Sequence, residues 1–159
     1  KNQNFVEISF ELIKFLKLIS KHLNKNKGGA IFIDYGFVKQ KMFNTLQSIK
    51  NHKYANFLNS KNDMDITYLV NFDMISKIFK NNNLIINGLT TQGSFLKEMG
   101  ILNRAENVGK KMSFIKKADL FYRINRLIND KQMGGLFKVL FVSDKHSKFN
   151  VGFTRNEIK

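Results

Sequence analysis

The sequence predicts a mixed α/β domain, because helical and strand-like patterns alternate along the chain. Apolar residues recur at three- and four-residue steps over residues 5–24, which is typical of an amphipathic helix. Residues 30–34, AIFID, then form a short and almost continuously apolar segment, as expected for a strand covered on both faces. Gly28 lies between the two and follows a lysine-rich stretch, which fits the C-terminus of the helix.

The middle of the chain predicts an insertion, a helix and a second strand. Residues 37–63 are polar and aromatic without a firm period, so we interpret them as an insertion after the first strand, with residues 66–70 as a short extended piece. Asn71 is a good N-cap for a helix through Phe72, Ile75 and Phe79. The next strand is expected over residues 84–90.

The last part of the chain predicts two helices and a final strand. A short helix over residues 94–100 ends at Gly100, and a longer amphipathic helix extends from Phe114 to Ile128. Its apolar positions are expected to face the core. Residues 134–143 predict the last strong strand, beside which residues 149–154 are expected to pair. We therefore expect one domain, residues 1–159, with residues missing before Lys1.

Composition limits the classes of function. The 159-residue chain has no cysteine and its three histidines lie far apart, which argues against a thiolate site and against a structural metal. No apolar run reaches the length that a membrane span needs. The net charge of +15 comes from 27 basic residues of which only four are Arg, spread without a basic stripe, so nucleic-acid binding is disfavoured.

Polar residues at the end of the first strand are the first candidates for function. Asp34 and Tyr35 follow an apolar strand, and ligands of open α/β sheets lie beyond the carboxyl ends of their strands. A cap on the next backbone turn would explain Asp34 equally well. Gly36 is expected to permit a sharp turn out of the strand.

Four further positions are weaker candidates, each with a structural alternative. His52 lies in the insertion, where a single histidine more often has a surface role. Asp63 and Asp65 have the spacing to face one way and hold a cation or guanidinium, although Asx turns explain them as well. Gln92 follows the second strand beside Thr91, which serves equally as a helix cap.

Five blocks in order resemble one known family: GGAIFIDYG, TLQSIKNHK, DMDITYLVNF, TQGSFLKEMGI and MGGLFKVL. They resemble the C-terminal half of the MidA-like S-adenosylmethionine-dependent methyltransferases, which include the mitochondrial protein-arginine methyltransferase of complex I assembly. The resemblance spans residues 28–142. The matching positions are Asp34, Tyr35, Gly36, Thr45, Leu46, His52, Asp65, Thr67, Val70, Phe72, Gln92, Gly93, Phe95, Leu96, Gly100, Ile101, Met133, Gly134, Phe137 and Lys138.

The resemblance implies an enzyme that methylates an arginine of a protein substrate with S-adenosylmethionine as cofactor. Asp34 is then the first candidate to grip the guanidinium, Tyr35 and His52 shape its pocket, and Asp65 is the second candidate carboxylate. Gln92 is expected to orient polar groups of the substrate by hydrogen bonding. No residue of this chain is assigned to cofactor binding.

The resemblance also implies the C-terminal part of a class I, Rossmann-like methyltransferase sheet with flanking helices and an insertion after its first strand. Residues 30–34, 84–90 and 137–143 would be the fifth, sixth and seventh strands of the parent sheet. The glycine-rich cofactor loop of the family has no counterpart here. We therefore expect an N-terminal half to hold most of the cofactor, and expect the unpaired strand edge to bind that half or a second copy of the chain.

The chain departs from the family pattern at two positions of the third block. Asn71 stands where Asp is frequent, and Leu69 where bacterial members often have His. Asn71 should still cap its helix, whereas Leu69 removes a polar contact. An inactive gene remnant is therefore a rival interpretation, and a basic module that binds nucleic acid or an acidic partner is another.

The resemblance gives expectations for partners and compartment as well. The substrate would be a protein, with a subunit of respiratory complex I as the specific candidate, and the chain would form a homodimer through its open strand edge. The compartment would be the cytoplasm in a bacterium and the mitochondrion in a eukaryote.

Overall fold

The computed structural model describes residues 6–38, 43–51, 53–56, 64–147, 151–154 and 157. The described helices are α1 (Phe10–Asn26), α2 (Phe72–Asn81), α3 (Gln92–Glu98), α4 (Ile101–Gly109), α5 (Phe114–Ile128) and α6 (Met133–Leu136). The described strands are β1 (Gly29–Phe37), β2 (Gln47–Lys50), β3 (Lys53–Tyr54), β4 (Asp65–Thr67), β5 (Val70–Asn71), β6 (Ile85–Thr91) and β7 (Phe137–Ser143).

The main sheet has the strand order β5-β1-β7-β6. The last strand, β7, lies between β1 and β6 and is antiparallel to both, while β5 is a short parallel neighbour of β1. Helices flank this sheet, so the mixed α/β fold with flanking helices that the sequence predicts is confirmed.

The insertion after β1 forms a small sheet of its own. Strands β2, β3 and β4 pair in the order β3-β2-β4, with Ser48 of β2 opposite Ile66 of β4. The polar and aromatic sequence of this segment gave no firm period, because each of these strands has only two to four residues. The predicted insertion therefore contains ordered strands.

The main core lies between one face of the sheet and the helices α1 and α2. Its fully buried centre is made by Leu16 of α1, Phe72 and Phe79 of α2, and Leu140 and Val142 of β7. Burying five such side chains provides a large share of the stability of a domain of this size. Ala30 and Phe32 of β1 pack against the same core.

A second, smaller core covers part of the opposite face. Val139 and Phe141 of β7 pack there against Phe153, and Phe95 of α3 adds its ring to the cluster. Residues 151–154 contribute this packing from a turn, so the strand predicted over 149–154 is absent from its described part; residues 149 and 150 lie outside the described residues.

Helix α1 differs from its prediction in its start and at one position of its buried face. It begins at Phe10, because the Ser9 side chain accepts a hydrogen bond of 3.1 Å from the Leu12 amide and caps the first turn. Leu16 is fully buried, whereas Phe15, which the predicted apolar stripe placed in the core, is half exposed. Leu23 is also buried, and Leu12 and Ile19 pack against the same core, so the predicted apolar stripe of α1 faces the core except at Phe15.

The long helix α5 also departs from its prediction. Only Ile124 of this helix is buried, while Phe114 and Ile115, expected to face the core, are almost fully exposed. Apolar periodicity marks a helix but does not establish that every apolar residue is covered. Helix α4 was not predicted, although its apolar residues Ile101, Ala105 and Val108 have helical spacing.

The final strand begins later than predicted. Residues 133–136 form the short helix α6, and β7 begins at Phe137. A Cβ atom on Gly134 would lie 2.4 Å from the carbonyl carbon of Ile128, so this glycine allows α6 to pack directly on the end of α5. A Cβ atom on Gly93 of α3 would likewise lie 2.5 Å from the Ile128 carbonyl oxygen, so α3 also packs closely on the end of α5. Two of the family-like blocks therefore meet at the end of α5.

Candidate functional site

Asp34 and Tyr35 lie within β1 rather than at its end. The strand continues to Phe37, because Gly36 and Phe37 pair with β5 after the pairing with β7 has ended. The expected end of the strand at Asp34 was therefore wrong by three residues. Asp34 is exposed, and its Oδ1 atom accepts a hydrogen bond of 2.7 Å from the Tyr35 amide. This bond fixes one carboxylate oxygen near the strand.

Gly36 has a different role from the one predicted. A Cβ atom at this position would lie 2.3 Å from the Val70 carbonyl oxygen and 2.6 Å from the Phe72 ring. Gly36 does not have the positive φ angle that only glycine adopts easily. Gly36 therefore provides room for β5 and α2 to approach β1, and the prediction of a sharp exit turn is corrected.

The structure separates Asp34 from Tyr35, because successive residues of a strand point to opposite faces. The Tyr35 ring packs against Phe137, with ring centroids 3.9 Å apart, and the residue is nearly half exposed. Asp34 shares its face with Phe32, which packs against the main core. A single pocket that uses both side chains is therefore not formed by β1 alone.

Asp34 belongs to a polar row that crosses three strands. It lies directly opposite Lys138 of β7, and Lys138 lies directly opposite Thr91 of β6. Residues opposite each other in antiparallel strands share one face of the sheet. The row therefore places a carboxylate, an amine and a hydroxyl at the same end of the main sheet.

Lys138 is the residue of this row to which the sequence analysis assigned no role. Its amine donates a hydrogen bond to the Gly135 carbonyl, and burial lowers the pKa of Lys138 from its ordinary value. Among the described residues, no ion pair joins this amine to Asp34. A lysine at the start of an apolar strand was the available signal, but its position beside Asp34 depends on the strand order.

An open cleft of about 410 Å³ lies at the same end of the sheet. Thr91 of the polar row lines it, together with Gly135, whose carbonyl binds Lys138. The other lining residues are charged or polar, namely Ser94, Lys97, Glu98 and Asp130. The sequence analysis assigned none of these four a role, because each is a common type of surface residue.

The predicted substrate contact of Gln92 has a structural alternative. Gln92 is buried, and its Nε2 atom donates a hydrogen bond of 3.0 Å to the Leu127 carbonyl. This bond ties the start of α3 to the last turn of α5. Thr91 caps α3, since its hydroxyl accepts a hydrogen bond of 3.2 Å from the Ser94 amide. The role of Gln92 in substrate binding stays a prediction.

The remaining predicted site residues lie in the insertion or directly after it. Asp65 is exposed on β4, opposite Ile49 of β2 in the small sheet. His52 and Asp63 lie outside the described residues. Asp65 is therefore on a different sheet from Asp34, and the proposed use of both carboxylates on one substrate stays a prediction.

A partly buried acidic contact near the end of β1 was not predicted from the sequence. The Glu7 carboxylate accepts hydrogen bonds from the Thr45 amide and hydroxyl, at 2.9 and 2.7 Å. The Thr45 oxygen in turn accepts a hydrogen bond of 2.9 Å from the Leu69 amide. Thr45 of the second family-like block therefore links the segment before α1 to the segment before β5.

Both departures from the family pattern lie beside this contact. Leu69 and Asn71 line one small cavity of about 20 Å³, together with Glu7 and Tyr68. Asn71 caps α2, because its Oδ1 atom accepts a hydrogen bond of 3.0 Å from the Met74 amide. The prediction that Asn71 keeps its capping role is confirmed.

The open cleft offers no surface on which the adenine of S-adenosylmethionine could stack. The open cleft is lined by charged and polar side chains and by no aromatic ring that could cover an adenine. Nor do the described residues contain a group of three or more His, Cys, Asp or Glu side chains placed to hold a metal ion.

The sheet and its polar row define the class of protein: an open α/β domain with candidate ligand-binding groups gathered at one end of its strands. A sequence profile described as "Putative S-adenosyl-L-methionine-dependent methyltransferase" matches residues 1–90, which is more than half of the chain. The chain belongs to this family. The MidA-like resemblance, and with it S-adenosylmethionine as the cofactor of the family, is confirmed.

Other comparisons give similar proteins of greater length. The chain is 28% identical over 142 residues to "Protein arginine methyltransferase NDUFAF7, mitochondrial" of Danio rerio, a match that covers 89% of this chain and 33% of that protein. The chain therefore spans about a third of the length of this curated relative.

Two solved structures from Burkholderia thailandensis share the fold. One is an uncharacterized COG1565 superfamily protein, with a TM-score of 0.78 and 25% identity over 96% of this chain and 41% of that chain. The second is a COG1565 superfamily member bound to S-adenosyl-homocysteine, with a TM-score of 0.74, 24% identity, and coverage of 92% and 39%. The latter likeness supports the fold.

Proposed function

We propose that this chain is part of a protein arginine N-methyltransferase and carries its substrate-side residues. Membership of the methyltransferase family and the similarity to an arginine methyltransferase from Danio rerio support this proposal. The observation that carries it is the exposed Asp34 carboxylate, held at one oxygen by the Tyr35 amide three residues before the end of β1.

A guanidinium substrate explains why a carboxylate is needed at this position. Arginine is protonated at neutral pH and is therefore a poor nucleophile. A carboxylate can bind two of its N–H groups, orient the reacting nitrogen and take up the proton that this nitrogen loses. The Oδ2 atom of Asp34 has no hydrogen bond to any described residue and is the oxygen that we assign to the substrate. The cofactor supplies the methyl group.

The other predicted residues would act around Asp34. Tyr35 would shape the approach to the site from the opposite face of β1, and Asp65 and His52 would come from the insertion. Gln92 would orient polar groups of the substrate, in competition with its bond to Leu127. Lys138, directly opposite Asp34 on β7, would place a positive charge beside the bound substrate and the carboxylate.

We also propose that residues 1–159 form the C-terminal part of one methyltransferase domain, and that a preceding N-terminal half binds most of the cofactor. The free edge of β1 supports this arrangement, since only Gly36 and Phe37 pair with another described strand on that edge. Ile31 and Ile33, on the face opposite the main core, are 46% and 49% exposed. An apolar strand with an open edge favours pairing with a further strand.

The name of the Danio rerio relative supports a protein substrate, and a mitochondrial compartment in a eukaryote. The family resemblance adds a subunit of respiratory complex I as the specific candidate substrate and the cytoplasm as the compartment in a bacterium. A homodimer would use the open edge of β1 if the N-terminal half did not occupy it. In the part of the chain that the structure describes, no helix has the length and apolar character to cross a bilayer.

Asp34→Asn tests the proposed role in the chain extended at its N-terminus to the length of its relatives. Methyl-labelled S-adenosylmethionine is incubated with undermethylated cell extract, and labelled methylarginine is quantified after acid hydrolysis. We expect a loss of about 100-fold or more, typical of removing a positioned acid–base group. Asp119→Asn, the same change at an exposed residue of α5, should retain full activity. Full activity of Asp34→Asn would exclude the proposed role.

A further inference from the structure

The connection between α4 and α5 presents two large apolar side chains to solvent. Residues 110–117, KKMSFIKK, form this connection and the first turn of α5, and we call them the 110–117 tip. Phe114 is 86% exposed and Ile115 is 79% exposed. Contiguous exposed apolar side chains, unlike single ones, are a mark of interaction surfaces.

The tip is held in a defined shape. The Met112 amide donates a hydrogen bond of 3.1 Å to the Gly109 carbonyl, and the Lys117 amide donates one of 2.9 Å to the Ser113 carbonyl. The stem of Lys117 lies within 3.4–3.6 Å of the position that a Cβ atom on Gly109 would take, so it packs across the end of α4. The two apolar side chains are therefore presented by an ordered turn.

Four lysines surround these apolar side chains. Lys110, Lys111, Lys116 and Lys117 are all exposed, and residues 107–118 contain no acidic residue. The nearest following carboxylate, Asp119, is paired with Arg123 at 2.8 Å. The tip therefore combines an apolar centre with a positive border.

We propose that the 110–117 tip binds the surface of an anionic lipid bilayer. Phe114 and Ile115 enter the boundary between headgroups and acyl chains, and the lysines contact lipid phosphates. Charge complementarity favours this occupant, because every charged side chain of the tip is a cation. The arrangement anchors the domain on the membrane without crossing it.

The chemistry of the tip favours a lipid surface over nucleic acid. Binding to nucleic acid uses arginine and aromatic rings that stack on bases, whereas this tip has no arginine and only one aromatic residue, which is followed by the aliphatic Ile115. Aliphatic side chains gain more from entering hydrocarbon than from contact with a phosphate backbone. The experiment must therefore distinguish binding to lipid from binding to nucleic acid.

The lysines and the apolar pair should both contribute measurably. Each lysine near an anionic surface strengthens binding roughly fivefold, as expected for about 1 kcal/mol per charge. Insertion of the two apolar side chains adds on the order of tenfold or more, since it removes apolar area from water. A single anchor of this kind gives reversible binding.

Vesicle sedimentation of the 159-residue chain tests the proposal. Vesicles of phosphatidylcholine are compared with vesicles that contain about one-third phosphatidylglycerol, whose surface potential attracts basic segments. We expect binding to the anionic vesicles only, and at least a tenfold loss in Phe114→Ser/Ile115→Ser. The matched control is Phe10→Ser/Leu18→Ser, which alters side chains of α1 that are 73% and 66% exposed and should bind as the unaltered chain does.

A second pair of variants separates the tip from the overall positive charge. Glutamine at Lys110, Lys111, Lys116 and Lys117 should abolish vesicle binding. Glutamine at four exposed lysines elsewhere, Lys17, Lys21, Lys25 and Lys80, removes the same charge and should lower binding much less. Equal losses in the two sets would show binding by net charge alone and would overturn the proposal.

A fluorescence measurement reports insertion directly, because the chain contains no tryptophan. Phe114→Trp should show a blue-shifted emission with anionic vesicles and quenching by brominated lipid, whereas Phe10→Trp should show neither. Unchanged emission of Phe114→Trp in vesicle-bound chain would overturn the proposal. The proposal would also be overturned if the tip variants lost binding to duplex RNA, or lost self-association, while they still bound vesicles.

Discussion

Gly36→Ala is the change that most directly tests how the end of β1 is built. A methyl group at this position would lie 2.3 Å from the Val70 carbonyl oxygen and 2.6 Å from two carbons of the Phe72 ring. Ordinary non-bonded contacts are about 3.5 Å, so the two segments must separate by about 1 Å. The Phe72 side chain is fully buried and has no open space into which to move.

The expected magnitude follows from this overlap. Adding a methylene-sized group to a closely packed region destabilises a protein by about 1–3 kcal/mol, and we expect the upper half of this range because one of the close atoms belongs to the backbone. For a chain of this size, each kcal/mol lowers the melting temperature by roughly 2–4 °C. Gly36→Ala should therefore lower it by about 4–12 °C.

Thermal and urea unfolding followed by far-ultraviolet circular dichroism measure this effect. Gly109→Ala is the matched control, because its new methyl group would meet only the Lys117 side chain, at 3.4 Å or more. Since alanine favours a helix over glycine, this control should be neutral or stabilising by up to about 1 kcal/mol. A Gly36→Ala chain as stable as the unaltered one would show that β5 and α2 do not pack on β1 as described.

Two further predictions concern buried polar groups. Hydrogen bonds from the Ser147 hydroxyl and from the His146 and Gly28 amides lower the pKa of Asp144 from 3.8 to about 2. The stability that this carboxylate provides is therefore complete above about pH 4 and is lost as the pH falls towards 2. Because Asp144→Asn lacks this carboxylate, its midpoint of urea unfolding should decline less between pH 5 and pH 2 than that of the unaltered chain. Gln92→Leu leaves the Leu127 carbonyl without its side-chain donor and should lower the free energy of unfolding by about 1–3 kcal/mol. If urea unfolding of Gln92→Leu is unchanged, the bond to Leu127 does not stabilise the fold, and the Gln92 side chain is available to bind substrate.

Local sequence patterns predicted the elements that depend on local physics. The helix after Asn71 was predicted from an N-cap and an apolar period, and the structure contains both the helix and the cap. The strands near residues 30–34 and 84–90 were predicted from short apolar runs. The expectation that residues 30–34 are covered on both faces was wrong, because Ile31 and Ile33 are about half exposed. The length of β1 was not predicted, because its end depends on pairing with β5.

The candidate site could be predicted only in part, because its neighbours are distant in sequence. Asp34 was identified from its position after an apolar strand, but its alignment with Lys138 requires that β7 lie beside β1. The contact between Glu7 and Thr45 likewise joins segments that no local period connects. Exposure of Phe114 was missed for a related reason, since the pattern of a helix does not reveal which parts of it other elements cover.

A cofactor titration tests the central claim, that this chain is the substrate-side part of a methyltransferase domain. Binding of S-adenosyl-homocysteine is measured by calorimetry for residues 1–159 and for the chain extended at its N-terminus to the length of its relatives. We expect binding to the extended chain only, with the same Kd in its Asp34→Asn variant, because Asp34 is assigned to the substrate. Binding of equal strength to residues 1–159, or its absence from the extended chain, would contradict the claim.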